Sequence, residues 1–175
     1  MSNRGAKANE KFRFRIRSGG QTGVDRAALD AAIAAGCRYE GWCPKGGWAE
    51  DFPDPPGLLA KYPGLRETSD KDPAQRTERN VRDGDATLLL LPAAGFVPPG
   101  SAFTAQCATK LGKPLKLVVY ARDDAAQEIA AFFARFREAR SINLAGPRES
   151  ESPGAYEACR RLLVDCLDLR GRKTR

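Results

Sequence analysis

The chain has 175 residues, which suits a single domain with a hydrophobic core. It contains no histidine, so Ser-His-Asp and Cys-His catalysis are excluded, and any acid-base chemistry falls to carboxylates, lysine, tyrosine or cysteine. Its five cysteines form no C-x-x-C pair, and without histidine they predict neither a disulfide framework nor a metal site. The sequence has no apolar run that would span a membrane and no secretory signal, which predicts a cytoplasmic protein.

The formal net charge of +7 is concentrated at the two ends of the chain. Residues 1–17 carry +5 and residues 170–175 carry +4, which leaves −2 (+7 less +9) for the residues between them. We therefore expect a disordered basic tail over residues 1–11, a Rossmann-like ligand-binding domain over residues 12–169 and a second basic tail over residues 170–175. A mildly acidic body is a poor groove for a phosphate backbone, so specific nucleic-acid binding is not expected.

Segments with strand-like and helix-like patterns alternate along the chain. Apolar and basic residues alternate over residues 12–17, a period of two that predicts a first strand with one covered face. Further strands are predicted at residues 37–43, 65–68, 86–91, 115–120 and 141–144. Helices are predicted at residues 24–35, 72–83, 102–111, 124–139 and 154–169. The alternation predicts the α/β class, with a single Rossmann-like, doubly wound and mainly parallel sheet that carries helices on both faces.

Two further segments have a distinct composition. Residues 86–91 form the most hydrophobic run of the chain, which predicts a central strand buried on both faces. Residues 52–64 are rich in proline, which predicts an irregular segment.

A glycine-rich loop, Ser18-Gly-Gly-Gln-Thr-Gly-Val-Asp25, follows the first predicted strand and opens the first predicted helix. Glycines allow a tight turn and a close approach of backbone amides to a ligand, and a helix N-terminus directs unpaired N–H groups at the same spot. The loop therefore predicts an anion site, with a plain tight turn as the alternative. The candidate donors are the backbone amides and polar side chains of Gly19, Gly20, Gln21, Thr22 and Gly23.

A second loop rich in glycine and proline follows the predicted strand at residues 86–91. Its candidate ligand groups are Gly100, Ser101 and Thr104, at the start of the next helix. In doubly wound sheets, ligands bind at the carboxyl ends of the strands where the winding reverses, commonly between the first and fourth strands. We therefore expect the two loops to face each other there and to form one cradle for a phosphate or oxyanion.

Two charged residues near these loops have both a functional and a structural interpretation. Asp25 lies in the first turn of a helix, where the dipole favours a carboxylate without any ligand, and where it can also hold a ribose hydroxyl or Mg2+. Lys45 follows the second predicted strand, in a loop from which its ammonium group can reach the crevice as a point charge.

Three further charged residues are candidates in other parts of the chain. Glu78 and Arg82 lie four residues apart on one helix face, where they form a surface ion pair or contribute to a site or a subunit interface. Arg148 follows the last predicted strand and can deliver a guanidinium to a ligand phosphate. The competing interpretation of its segment is a helix entry capped by Ser150 or Ser152.

Several motifs together carry a resemblance to a known family. They are Ser18-Gly-Gly-Gln-Thr-Gly-Val-Asp-Arg-Ala-Ala-Leu-Asp30, Gly41-Trp-Cys-Pro-Lys-Gly46, Ala49-Glu-Asp51, Arg76-Thr-Glu-Arg-Asn-Val-Arg-Asp83 with Asp85-Ala-Thr87, and Leu144-Ala-Gly-Pro-Arg-Glu-Ser150. The chain resembles the putative molybdenum carrier family from about residue 12 to residue 169. That family is Rossmann-like and is related to the lonely-guy phosphoribohydrolases and other nucleotide-sensing domains. The resemblance implies a Rossmann-like carrier of molybdenum cofactor or molybdate, and related folds that pair through helices imply a homo-oligomer.

One departure from the related phosphoribohydrolases bears on activity. They carry a Pro-Gly-Gly-x-Gly-Thr loop followed by a glutamate, whereas the matching stretch here, Pro98-Pro-Gly-Ser-Ala-Phe-Thr104, lacks the second glycine, and Gln106 stands near the position of the acid. This favours a binding protein for a small phosphorylated or oxyanionic ligand. The alternative is a nucleotide-binding hydrolase of the lonely-guy type that cleaves the N-glycosidic bond of a nucleoside monophosphate, with Glu78 or Asp25 as acid-base group and Arg82 as phosphate ligand. Residue types alone do not separate a molybdenum species from a nucleotide.

Overall fold

A computed structural model of the chain describes residues 14–168, and the predicted tails at residues 1–11 and 170–175 lie outside that range. Its six strands are β1 (Arg15–Arg17), β2 (Tyr39–Cys43), β3 (Leu65–Glu67), β4 (Ala86–Leu91), β5 (Leu115–Val119) and β6 (Ser141–Ala145). Its six α-helices are α1 (Val24–Ala34), α2 (Leu58–Lys61), α3 (Pro73–Asp83), α4 (Pro99–Lys110), α5 (Ala125–Arg135) and α6 (Ala155–Asp168). None of these helices is long and apolar enough to cross a membrane.

All six strands are parallel and form one sheet in the order β3-β2-β1-β6-β4-β5. The predicted α/β class with a doubly wound parallel sheet is therefore confirmed. Every residue of β4 is buried, as the hydrophobic run at this strand predicts. Apolar residues from α1, α5 and α6 pack with Phe14 and Ile16 in the main core on one face of the sheet. On the other face, α3 and α4 enclose a smaller core around Val81, Cys107 and Ala108.

The position of β6 corrects one expectation about the sheet. β1 and β4 are not neighbours, because β6 pairs with both of them. If the unit of β6 and α6 stood before β1 in the chain, the strand order would read 4-3-2-1-5-6, a regular double winding with one reversal. The crevice at the carboxyl edge is therefore formed by three loops, and the loop after β6 lies between the two glycine-bearing loops.

Several element boundaries differ from the sequence-based prediction. The helix predicted from residue 102 begins at Pro99, because proline suits the first helical turn, where its missing N–H is not needed. The proline-rich segment predicted to be irregular contains the short helix α2. β1 begins at Arg15, and residues 12 and 13 lie outside the described range.

A close approach between β1 and β2 depends on Gly41. A Cβ atom at this position would lie 1.9 Å from the backbone oxygen of Ser18, while the Ser18 N–H donates to the Glu40 oxygen at 3.1 Å. The Ser18 hydroxyl donates to the Leu144 oxygen at 2.9 Å, which ties the end of β1 to β6 as well. The three strand ends that support the glycine-rich loop are thus held together at Ser18.

We expect Gly41→Ala to lower the free energy of unfolding by about 1–3 kcal/mol, because the added methyl group forces the backbones of β1 and β2 apart. Urea denaturation followed by circular dichroism measures this loss. Gly100→Ala is the matched control, since a Cβ there meets no atom within 4 Å and the residue lies in a helix. Equal stabilities of the two variants would contradict the importance of this contact.

None of the five cysteines, all of which lie within residues 14–168, forms a disulfide, and all five are buried. Burial raises the pKa of the Cys43 thiol to about 11 and also raises the pKa of Cys159. Buried thiols with raised pKa carry little thiolate, which is the reactive form.

We therefore expect the native protein to react slowly, or not at all, with Ellman's reagent at neutral pH. The same protein in guanidinium chloride should release the colour of all five thiols at once. Rapid labelling of one thiol in the native state would show that the packing around that cysteine opens readily.

Candidate anion-binding site

A cavity of about 220 Å³ lies at the carboxyl edge of the sheet, at the point where the winding reverses. Its walls come from the loops after β1 and β6 and from the first turns of α3 and α4. The polar and glycine residues that line it include Gly19, Gln21, Asp25, Arg76, Thr77, Asn80, Gly100, Thr104, Asn143, Gly146, Arg148 and Glu151.

The N-termini of α3 and α4 both face this cavity. The Asp72 carboxylate caps α3 by accepting the Ala74 N–H at 2.8 Å, and α4 begins directly after Pro98. Pro73, Ala74 and Gly100, from the first turns of the two helices, line the cavity. Two helix N-termini place positive dipole ends beside the same small volume, which favours an anion there.

An ion pair between Asp25 and Arg76 crosses the floor of the cavity. The Arg76 Nη1 atom donates to the Asp25 Oδ2 atom at 2.8 Å, and the two side chains are 14% and 4% exposed. Burial raises the pKa of Asp25, while Arg76 and the backbone N–H groups of Gln21 and Gly146 act in the opposite direction. The Nε atom of Arg76 is buried and has no hydrogen-bond partner among residues 14–168.

Gly19 provides the space for this ion pair. A Cβ atom at position 19 would lie 1.9 Å from the Arg76 Nη1 atom and 2.8 Å from the Asp25 Oδ2 atom. The absence of a side chain at this position therefore allows Arg76 to lie across the backbone of the loop. In the structure this is the clearest role of the first glycine of the motif.

The rotation of α3 about its axis decides which of its polar side chains enter the cavity. The Asn80 side chain accepts the Trp42 N–H at 2.8 Å and donates to the Trp42 oxygen at 2.9 Å, so it fixes the helix against β2. This orientation directs Arg76 and Thr77 into the cavity. Glu78 is exposed, outside the cavity lining.

Arg82 is exposed on the same helix and does not line the cavity. Its Nε atom donates to the neighbouring Asp83 carboxylate at 2.7 Å instead of pairing with Glu78. Arg82 lines a different cavity, at the opposite edge of the sheet.

The polar groups around Thr22 are used within the protein. The Thr22 N–H donates to the Gln21 side-chain oxygen at 3.0 Å, and the Thr22 hydroxyl donates to Glu50. Glu50 also accepts from the Ser150 hydroxyl at 2.7 Å, so it links the loops after β1 and β6. These hydrogen bonds lie beside the cavity, so the Thr22 N–H and hydroxyl groups are not free to bind a ligand inside it.

The turn after β6 enters α6 through a carboxylate cap. Glu149 accepts the backbone N–H groups of Gly154 and Tyr156, so the helix entry is capped by this carboxylate instead of Ser150 or Ser152. The Arg148 side chain remains directed at the cavity, while its backbone N–H donates to Glu151 at 3.0 Å.

The structure brings about half of the sequence-predicted site residues together around the cavity. Those that line it are Gly19, Gln21, Asp25, Gly100, Thr104 and Arg148. Those that do not are Gly20, Thr22, Gly23, Lys45, Glu78, Arg82 and Ser101.

Physical reasons account for the residues that lie elsewhere. Gly20 packs on Leu58 and Leu65. Gly23 allows the backbone after β6 to approach closely, since a Cβ there would lie 2.3 Å from the Pro147 oxygen. Lys45 is exposed in a short 3-10 turn, Lys45–Gly47. The Ser101 hydroxyl is buried without a hydrogen-bond partner among residues 14–168, outside the cavity lining.

The site residues predicted from the sequence did not include Arg76, Thr77, Asn80, Asn143 or Glu151, although the helix that carries the first three was a candidate for a site or a subunit interface. The available signal was helical spacing, because Pro73, Arg76, Thr77 and Asn80 follow an i, i+3, i+4, i+7 pattern on one face of α3. Asn143 and Glu151 lie on and after β6, and their position depended on the strand order.

The fold and the cavity define a Rossmann-like α/β protein with a small polar cavity at the carboxyl edge of its sheet. The model of the circularly permutated YpsA SLOG family matches residues 16–167. The chain belongs to this family, and its strand order agrees with the permutation that the family description names.

A solved structure and the curated proteins complete the comparison. The crystal structure of a putative molybdenum carrier protein from Syntrophus aciditrophicus SB is 35% identical in sequence, with a TM-score of 0.76. The match covers 90% of this chain and 95% of that chain. A comparison with curated proteins found no match. The resemblance inferred from the sequence motifs is confirmed.

We expect Arg76→Met to lower the free energy of unfolding by about 3–5 kcal/mol at neutral pH, because it leaves Asp25 buried without a counter-charge. The double variant Arg76→Met/Asp25→Asn should recover part of this loss. Urea denaturation of both variants and of Asp25→Asn completes a double-mutant cycle.

The loss in Arg76→Met should shrink as the pH falls toward about 4, the usual pKa of an unfolded aspartate. Burial raises the pKa of Asp25 in the folded state, so the folded variant binds a proton more readily than the unfolded chain and becomes relatively more stable at lower pH. Arg82→Met is the control on the same helix, since its exposed pair with Asp83 contributes at most about 1 kcal/mol. A loss that is independent of pH and equal to that of the control would contradict this role of the pair.

Proposed function

We propose that the chain binds a small phosphorylated or oxyanionic ligand in the carboxyl-edge cavity, as a carrier or binding protein. The observation that carries this proposal is the guanidinium of Arg76. Asp25 holds one side of the guanidinium, and its buried Nε atom has no partner among residues 14–168. A buried donor without a partner is costly. The Arg76 side chain is 14% exposed and lines the cavity, where its guanidinium would donate to an anionic ligand. Arg148 supplies a second guanidinium to the lining of the same cavity.

The size of the cavity supports a compact ligand group. Its volume of about 220 Å³ is below the roughly 300–1,000 Å³ typical of pockets that enclose a drug-sized molecule. A tetrahedral oxyanion fits within such a volume. A larger ligand would place its phosphate in the cavity and leave its remaining atoms at the mouth.

A molybdenum species is the first candidate ligand, supported by the similarity to the structure of the putative molybdenum carrier protein. Molybdate is a tetrahedral oxyanion, and molybdopterin carries a phosphate. The described residues contain no group of three or more His, Cys, Asp or Glu that could hold a metal ion. The protein would therefore recognise oxygen atoms through guanidinium and N–H donors, and molybdenum would be its cargo. A nucleotide phosphate uses the same donors and is the second candidate.

A hydrolase of the lonely-guy type is the alternative activity. Of its two sequence-predicted acid-base candidates, Asp25 lies at the cavity but is engaged by Arg76, and Glu78 lies outside the lining. The observation in favour of this activity is Glu151, a second carboxylate that lines the cavity. Loss of nucleoside monophosphate to free base and sugar phosphate, abolished by Glu151→Gln, would support hydrolysis.

We expect a member of a panel of molybdate, tungstate, AMP, ATP, NAD and a pterin phosphate to raise the melting temperature of the protein. A ligand at 100 times its Kd stabilises the folded state by about 2.7 kcal/mol. Native mass spectrometry and elemental analysis of the purified protein would identify a ligand that is retained. Arg148→Gln should weaken binding about tenfold or more, because a hydrogen bond to a charged group contributes about 1.5–3 kcal/mol.

Arg122→Gln is the matched control for that substitution. Arg122 is exposed at the same edge of the sheet, pairs with Asp124, and does not line the cavity. Equal affinities of the two variants would place the ligand outside this cavity. No thermal shift with any compound of the panel would overturn the proposed ligand class.

A further inference from the structure

A second polar region extends over the sheet face that carries α3, from the amino ends of β1 and β6 to Arg66 in the edge strand β3. Two cavities of about 300 and 390 Å³ adjoin there and share Arg15, Arg17, Glu40 and Asp83. We refer to them together as the amino-edge groove. Its basic residues are Arg15, Arg17, Arg66, Arg82, Lys113 and Arg140.

Three acidic residues in the groove are already engaged. Glu40 pairs with Arg15 and Arg17, and Asp83 pairs with Arg82. The Asp85 carboxylate accepts the backbone N–H groups of residues 140 and 141. Because the lining contains six basic residues and three acidic ones, the groove keeps an excess of positive charge.

Two of the basic side chains in the groove are exposed and can bind an external anion. Arg66 and Arg140 are exposed, and neither pairs with a carboxylate of residues 14–168. A guanidinium with no internal partner presents its full set of donors to an external anion.

The sequence carries further basic charge before the first described residue. Residues 1–13 carry four basic residues and one acidic residue, a formal charge of +3, and they join the described structure at Phe14. Arg15, which follows immediately, lines both cavities. Residues 169–175 carry +4, so residues 14–168 are neutral (+7 less +7) and the net charge of the chain lies entirely in its end segments.

We propose that the amino-edge groove binds the phosphodiester backbone of a single-stranded nucleic acid without sequence preference. A groove with guanidinium groups along its length can follow the phosphates of one strand. A bilayer presents a flat array of headgroups, which a recessed groove does not match.

The aromatic rings that line the groove are already packed against other side chains. Arg79 lies over the Trp42 ring at 4.7 Å, and the Tyr39 ring packs edge-on against Tyr62 at 6.1 Å. Neither ring is a free platform for a base. The interaction is therefore electrostatic and strongly dependent on salt.

The test is fluorescence anisotropy of labelled oligo(dT) and oligo(rU) with the full chain, over roughly 50 to 200 mM salt. The variant is Arg66→Gln/Arg140→Gln, and the control is Lys71→Gln/Arg122→Gln, which removes the same charge at exposed positions on the carboxyl edge. Loss of two phosphate contacts should reduce the slope of log K against log salt by about 1.4 in the variant, at about 0.7 per contact with a single strand. The control should keep the slope of the unmodified chain.

A second full-length variant, with Gln at Arg4, Lys7, Lys11 and Arg13, separates the groove from the basic segment over residues 1–13. We expect this variant to bind the oligonucleotides more weakly. We expect the groove variant to weaken binding as well, independently of the segment. Binding that depends on this segment alone, with the groove variant equal to its control, would overturn the proposal. So would a full chain that binds phosphatidylserine vesicles and neither oligonucleotide.

Discussion

The buried ion pair between Asp25 and Arg76 connects elements from both faces of the sheet. Asp25 belongs to α1, which packs on one face, and Arg76 belongs to α3, which packs on the other. Removing two charges from water is costly, and a buried pair is stable only with good geometry and additional hydrogen bonds. Here the loops after β1 and β6 donate backbone N–H groups to the Asp25 carboxylate, and Gly19 leaves room for the pair because it has no side chain. The pair therefore constrains all four elements, and the result of that constraint is a guanidinium held in one orientation at the cavity.

The insertion of β6 between β1 and β4 gives the carboxyl edge its composition. In a sheet where the first and fourth strands are neighbours, the two glycine-bearing loops would meet directly. In this chain the turn after β6 separates them and contributes Gly146, Arg148 and Glu151 to the cavity. The close approaches at Gly23 and Gly41 hold this turn and the strand ends against the first loop. The same permuted order that characterises the family thus supplies three of the residues on which the proposed ligand site depends.

Much of the fold could be predicted from local sequence, whereas the site could be predicted only in part. The alternation of apolar patterns, the buried run of β4 and the glycine loop before α1 are local signals, and all three describe the structure correctly. The pairing of Asp25 with Arg76 joins residues 51 positions apart and depends on strand order, which no local pattern contains. The rotation of α3 was also undetermined, because one core residue, Val81, is compatible with either Thr77 or Glu78 facing inward. The contacts of Asn80 with the backbone of β2 decide that rotation in favour of Thr77 and Arg76.

The cavity at the carboxyl edge and the amino-edge groove use arginine in physically different ways. At the carboxyl edge, Arg76 is largely buried and held by a carboxylate, so any anion there would be recognised at short range in a site of low dielectric. In the amino-edge groove, Arg66 and Arg140 are exposed, and their attraction for an anion acts through water and is screened by salt within about 10 Å. The first arrangement favours discrimination between small anions, and the second favours loose association with an extended one. Because residues 14–168 carry no net charge, neither property follows from overall composition, and each depends on where the fold places a few guanidinium groups.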